Sequence, residues 1–288
     1  MKRRQFIGAA AALPALGQAG TSPSLVARLA EIEAASGGEI GVCALDSGQG
    51  CRIGHRLDQR FAMCSTFKAP LAGLVLARVD AGALALDQQV PLSQADLVPY
   101  APAVSARLPQ GRMSVAELCA ASVEQSDNAA ANVLMRLTGG PAALTAWLRG
   151  LGDTVTRLDR IEPELNENLP GDPRDTSTAS AMADTLRRLL LDDAALKPAS
   201  RAQLLAWMES SRTGLARLRA GLPAGWRAGD KTGTGTRGAV NDVAIVFPPG
   251  RAPWLVTVYL SGSTRPVSEL NEVHERLMRL LVDELART

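Results

Sequence analysis

Apolar and polar positions fall into three regimes along the chain. Residues 22–36, SPSLVARLAEIEAAS, place Leu25, Val26, Leu29 and Ile32 at helical spacing, with serines available to cap the start. Residues 39–56, EIGVCALDSGQGCRIGHR, read as two short strands around a Ser-Gly turn. From Ser65 the period becomes helical, through KAPLAGLVLARVDAGAL, and it stays mostly helical to about residue 210. Polar or proline-bearing connections interrupt it at DLVPYAPAV, RIEPELNENLPGDPRDTST and LKPAS. After Gly225 the pattern returns to short runs rich in Val, Ile, Trp and Tyr: GWRAGDKTGT, NDVAIVFPP and PWLVTVYLSG. The end, SELNEVHERLMRLLVDELA, sets Leu270, Val273, Leu277, Leu280 and Leu281 on one helical face.

That order packs most simply as an α/β protein in which one antiparallel sheet, made from both ends of the chain, is covered by the terminal helices. The middle becomes an inserted all-helical domain. The expected division is a leader at 1–20, a sheet domain from 21–61 and 211–288, and a helical domain at 62–210. A loop at 160–175 belongs to the helical domain.

Composition narrows the classes. The 288 residues are 46% hydrophobic, enough for a sizeable core. Charged residues are 21% of the chain, without a long single-sign run, and aromatics only 3%, which argues against a basic nucleic-acid face and against base-stacking platforms. The leader MKRRQFIGAAAALPALGQAG has a basic start, an apolar stretch from Phe6 to Leu16 and small residues after it, the layout of an export signal. Arg3-Arg4 followed by Gln5-Phe6-Ile7 resembles a twin-arginine signal. The apolar stretch is too short to span a bilayer of roughly 30 Å, so removal near Gly17 to Gly20 and a periplasmic location are expected. Removal takes the formal charge from +2 to about −1, since the leader holds three cations and no acid. An oxidising compartment follows. Cys43 and Cys51 flank a turn and are either bridged or free, and the four cysteines and two histidines fit no zinc pattern.

The chemistry gathers around MCSTFK. Ser65 at a helix start sits where free N–H groups favour a developing oxyanion, and Lys68 lies one turn on. His55 and His274 have no motif around them, so a Ser-His-Asp triad is not expected, and an amine with a lowered pKa can relay protons instead. Ser126-Asp127-Asn128 and Lys231-Thr232-Gly233 follow in order, and RIEPELN supplies Glu162 and Asn166.

These four ordered motifs resemble the class A β-lactamases, over nearly all of the chain from about residue 24. The resemblance implies a five-stranded antiparallel sheet with a helical insert. It implies hydrolysis of penicillins and cephalosporins through an acyl-enzyme on Ser65, with no cofactor, no metal and a monomeric state. Glu162 and Asn166 would hold the water that clears the ester. Lys68 or Glu162 would take the serine proton, and Ser126 would protonate the leaving nitrogen. The backbone N–H groups of Ser65 and Thr234 would form the oxyanion hole. Asn128 would bind the substrate's side-chain amide, and Lys231, Thr232, Gly233 and Thr234 would form the strand facing its carboxylate. Tyr100 either lines the mouth of the site or is an ordinary packed loop tyrosine. Arg160 and Asp175 match the pair that pins the loop.

Two departures stand out. The strand arginine of many relatives corresponds here to Val240, and Arg217 is either its replacement or a surface residue. The cysteine that some carbapenem-hydrolysing relatives bridge to the residue before the nucleophile corresponds to Gly235, leaving Cys64 as a small packing residue. The rival readings are a penicillin-binding DD-peptidase, which would lack the function of Glu162, and a β-lactam sensor that stays acylated.

Overall fold

A computed structural model of the chain describes residues 24–285, so the leader expected at 1–20 lies outside the described residues. Helix α1 (Leu25–Ser36) starts at Ser24, whose hydroxyl accepts the Ala27 N–H at 3.3 Å, and ends at Gly37 with φ 71°. Leu29 and Ile32 are buried as the spacing predicts, whereas Val26 faces solvent. Strands β1 (Glu39–Asp46) and β2 (Arg52–His55) form the expected hairpin, its turn held by the Asp46 carboxylate, which accepts the Gly48 and Gln49 N–H groups. Their register pairs Cys43 with Gly54 and leaves Cys51 outside the ladder, so both thiols are free, Cys43 buried and Cys51 exposed.

After β3 (Arg60–Ala62) a 3-10 turn over Cys64–Phe67 runs into α2 (Lys68–Asp80). Every α2 residue from Lys68 to Leu76 is buried, which suits a helix with apolar side chains on all sides and puts it at the centre. In chain order there follow β4 (Gln89–Pro91), α3 (Pro102–Arg107), β5 (Arg112–Ser114), α4 (Val115–Glu124), α5 (Asn128–Thr138), α6 (Gly140–Gly150), β6 (Thr176–Thr178), α7 (Ala179–Leu190) and α8 (Pro198–Glu209). Helices α4 to α8 all pack on α2. Because β3 pairs with β6 and β4 with β5, the segment expected to be all-helical also carries strands of two short ladders. Strands of three residues are too short to show an alternation in sequence.

The chain then returns to the sheet through β7 (Arg227–Thr234), β8 (Val240–Phe247) and β9 (Trp254–Ser261), and closes with α9 (Val267–Leu285). The sheet is five-stranded and antiparallel throughout, in the order β2-β1-β9-β8-β7, as expected for a sheet made from both chain ends. Alternation divides its side chains between two cores. Ile40, Val42, Ala244, Val246, Val256 and Val258 pack with α1 and α9 residues, while Cys43, Leu45, Val243, Ile245, Leu255 and Tyr259 join the helical side. Burial on both faces explains why β9 reads as the nearly unbroken apolar run WLVTVYL. The α9 face Leu270, Val273, Leu277, Leu280 and Leu281 is buried as the periodicity predicts. No helix among the described residues is long and apolar enough to cross a membrane.

Candidate active site

Three distant stretches meet beside the start of α2. Ser65 lies inside the 3-10 turn and not on the α-helix itself, which begins at Lys68. Cys64 before it takes a left-handed φ of 46°, an uncommon conformation for a residue with a Cβ. The turn rests against β7, where glycine is required. A Cβ on Gly233 would sit 2.6 Å from Met63 O and 3.2 Å from Ser65 N. Gly235 abuts Cys64 in the same way, its added Cβ falling 2.6 Å from Sγ, and the buried Cys64 thiol is pushed up to about 12 by burial.

The second stretch is the loop after α6. Asp175 pins it. Its Oδ1 accepts the N–H groups of Asp159 and Arg160 at 2.7 and 2.9 Å, and its Oδ2 accepts Arg160 Nε at 2.5 Å. Asp175 O also accepts the Met63 N–H at 2.9 Å, which ties the loop end to the turn carrying Ser65. Leu165 is buried beneath a short 3-10 turn over Glu164–Asn166. Asn132 holds Glu162 by two bonds, its Nδ2 donating to Glu162 O at 2.9 Å and its Oδ1 accepting Glu162 N–H at 3.0 Å. This residue was not foreseen, although it lies four positions after Asn128 and so on the same helix face.

The carboxylate thus held is 1% exposed. Glu162 Oε1 accepts Ser65 Oγ–H at 3.2 Å and lies 2.9 Å from Lys68 Nζ, and Oε2 accepts Asn166 Nδ2 at 2.5 Å. Lys68 also donates to Ser126 O at 2.8 Å and Asn128 Oδ1 at 2.6 Å, with Ser126 Oγ farther off at 3.5 Å. Burial draws its pKa down against the pull of Glu162.

Ser126, at φ 61°, ends the α4–α5 turn, and Asp127 caps α5 through Ala130 N–H while accepting the Ala103 and Val104 N–H groups. Lys231 Nζ donates to Ser126 Oγ at 3.0 Å and Thr232 O at 2.8 Å; burial and the neighbouring Lys68 lower its pKa well below the usual amine value. Lys231 therefore stands behind the cavity wall, joined to Ser126.

A cavity of about 330 Å³ opens in front, lined by Ser65, Ser126, Asn128, Asn166, Thr232 and Thr234 among others, with Tyr100, Thr213 and Arg217 also at its wall. Tyr100, at φ 62°, is 61% exposed and is no packed loop residue; its carbonyl accepts the Asn128 N–H at 3.0 Å. Arg217 is no surface residue either. It is buried and donates to Thr234 Oγ1 at 2.7 Å, Gly233 O at 2.9 Å, Asn241 O at 2.6 Å and Asn271 Oδ1 at 2.9 Å. All the site residues anticipated from sequence thus line this cavity or lie directly behind it. Among the described residues no cluster of His, Cys, Asp or Glu could hold a metal ion.

A hydroxyl beside a buried carboxylate and two desolvated amines, at the edge of an α/β sheet, defines an enzyme that transfers acyl groups through serine. Comparison with known proteins narrows this. The Beta-lactamase enzyme family matches residues 24–285. Beta-lactamase L2 of Stenotrophomonas maltophilia is 48% identical over 273 residues, covering 90% of this chain and 89% of the relative. The carbapenem-hydrolyzing beta-lactamase KPC of Klebsiella oxytoca is 45% identical, covering 89% and 87%. Among solved structures, the ancestral class A beta-lactamase of Gram-negative bacteria superimposes with a TM-score of 0.89 at 56% identity, covering 91% of this chain and 100% of that one. The putative class A enzyme PenP of Rhodopseudomonas palustris gives 0.88 at 53%, covering 90% and 99%. The chain belongs to the class A β-lactamases, hydrolases that open the β-lactam ring and confer resistance to these antibiotics.

Proposed function

We propose that Ser65 is the nucleophile of a penicillin- and cephalosporin-hydrolysing cycle in which Glu162 serves both halves. The observation that carries this is the single oxygen Glu162 Oε1, within 3.2 Å of Ser65 Oγ and 2.9 Å of Lys68 Nζ. With Lys68 an ammonium, Glu162 takes the Ser65 proton and passes it to Lys68 as Lys68 gives one of its own to Ser126 Oγ, 3.5 Å away, so Glu162 is an ionised base again for the second half. Oγ attacks the ring carbonyl, and the N–H groups of Ser65 and Thr234 stabilise the oxyanion. One such donor contributes about 3 kcal/mol. The ring C–N bond breaks, and the nitrogen takes the Ser126 hydroxyl proton. Lys231 Nζ, donating to Ser126 Oγ at 3.0 Å, holds that hydroxyl in place.

Deacylation returns to Glu162. Asn166 Oδ1 is buried and accepts no hydrogen bond from the described residues, so it offers a water an acceptor beside the carboxylate. Glu162 removes the proton of that water as it attacks the ester. Thr232, Thr234 and Arg217 receive the substrate carboxylate, Lys231 adds its charge from behind Gly233, Asn128 takes the side-chain amide, and Tyr100 borders the mouth. The division into a sheet unit (21–61 and 211–288) and an inserted unit (62–210) sets this cleft between them. The leader with Arg3-Arg4 supports twin-arginine export to the periplasm, and family resemblance supports a monomer.

Mass spectrometry after brief penicillin exposure tests the cycle. The native chain returns to its own mass within seconds, while Glu162→Gln, lacking the base of both halves, forms its one-to-one adduct at least about 100-fold more slowly and then keeps it. Wild-type turnover by Glu162→Gln would remove the carboxylate from the mechanism. A lasting adduct on the native chain would support an acylated sensor or a DD-peptidase.

A further inference from the structure

A second cavity, larger at about 480 Å³, shares no lining residue with the one around Ser65. Its walls are the far half of the catalytic loop, the β3–β6 ladder and the end of β9. Four arginines reach it, Arg60, Arg160, Arg174 and Arg237, against two acids, Glu39 and Asp172. Both acids are engaged. Asp172 accepts Arg174 Nε at 3.0 and 3.1 Å and Arg174 Nη2 at 2.7 Å, and Glu39 accepts Gln59 Nε2 at 2.7 Å and faces Arg56 at 3.7 Å. Arg160 is matched by Asp175 and Glu167. Arg60 and Arg237 are left with no carboxylate among the described residues. Arg60 donates to Val155 O and Thr176 Oγ1, both at 3.0 Å, and Arg237 to Glu167 O at 3.1 Å. Each guanidinium carries five N–H groups, so both keep donors in hand.

We propose that this cavity is a binding site for a small dianionic oxyanion, a dicarboxylate or a phosphate, held between Arg60 and Arg237. Two uncompensated guanidiniums call for two negative charges, and their planar forks match carboxylate and phosphate oxygens bidentately. The volume lies in the range of small-molecule sites. Both arginines stand on anchored backbone: Arg60 lies in the β3–β6 ladder, and the turn carrying Arg237 accepts the Gly262 N–H at 2.8 Å through Arg237 O. A concave wall with an excess of positive charge concentrates anions, which isolated surface arginines do not.

The test is an amide NMR titration of the chain with succinate and, separately, inorganic phosphate at constant ionic strength. Saturable shifts are expected at Leu169, Gly171, Asp172 and Gly262, with Ser126 and Thr234 unmoved. Affinity should fall at least tenfold in the double variant Arg60→Gln/Arg237→Gln, and in each single variant if the double one does not fold. Response to only one anion would identify the acid group and still support the site. Shifts that never saturate, shifts centred on Ser126 and Thr234, or unchanged affinity in the variants would overturn it. The readout is binding alone, so it stands or falls separately from the hydrolytic cycle.

Discussion

Replacing Arg217 by alanine removes a charge and a brace at once, and the two effects are separable. Arg217 reaches the cavity through Thr234 Oγ1 at 2.7 Å while donating to two buried carbonyls, Gly233 O and Asn241 O. A guanidinium about 5 Å from a substrate carboxylate, at an effective dielectric of about 20, contributes about 3 kcal/mol. Solvent in the open cavity and the help of Thr232, Thr234 and Lys231 reduce that to about 1.5–3 kcal/mol, or about a 10- to 100-fold loss in kcat/KM. Losing its bonds to the two carbonyls costs about 0.5–1.5 kcal/mol each in stability, so the melting temperature also falls. The discriminating assay compares kcat/KM for a penicillin and for its methyl ester in both proteins at a temperature where each is folded. The free acid should lose about 10- to 100-fold and the ester less than about threefold. Equal losses for acid and ester would refute the reasoning, because Arg217 would then only brace β7.

Other outcomes follow from the same geometry. Asp175→Ala leaves Arg160 Nε and two backbone N–H groups without their acceptor, with only the more exposed Glu167 still paired to Arg160. It should cost about 3–5 kcal/mol and lower the melting temperature by roughly 10 °C, read by calorimetry. Gly233→Ala drives a Cβ to 2.6 Å from Met63 O. Overpacking of this kind costs about 1–3 kcal/mol, and the displaced Ser65 turn should show as at least a ~10-fold fall in the acylation rate by stopped flow. His274 donates Nδ1–H to Leu270 O at 2.8 Å, and burial, with Arg217 nearby, draws its pKa down to about 3. The unfolded chain, with His274 near its ordinary value, binds the extra proton first, so stability is lost as pH falls from about 6.5 toward 3. His274→Leu should flatten the pH slope of denaturant-measured stability in that window by up to about 1.4 kcal/mol per unit, and an unchanged slope would contradict the assignment.

Much of the site could be read from sequence because its parts are short, local and chemically distinctive. Ser65 and Lys68 are one turn apart, and Ser126-Asp127-Asn128 and Lys231-Thr232-Gly233 sit in single turns or strands. What escaped depends on distant contact. Asn132 reads as one more polar residue on α5 until the loop folds over it. The burial of Arg217 needs α9, through Asn271, as well as β7 and β8. The fate of Cys43 and Cys51 hung on strand register, which alternation does not fix to a single residue. The sheet's strand order followed from reading both chain ends as partners, but three-residue strands such as β3 and β6 leave too little pattern to detect.

The pairing of β1 with β9 joins Glu39 to Ser261 and Asp46 to Trp254. A nascent polypeptide emerging from the ribosome thus holds an orphaned hairpin until more than two hundred further residues have been made. Partial products would expose its apolar flanks to chaperones and proteases. Resistance in a growing cell therefore depends on completing synthesis, and a premature stop anywhere before the last strand should yield degraded fragments in place of a weakened enzyme.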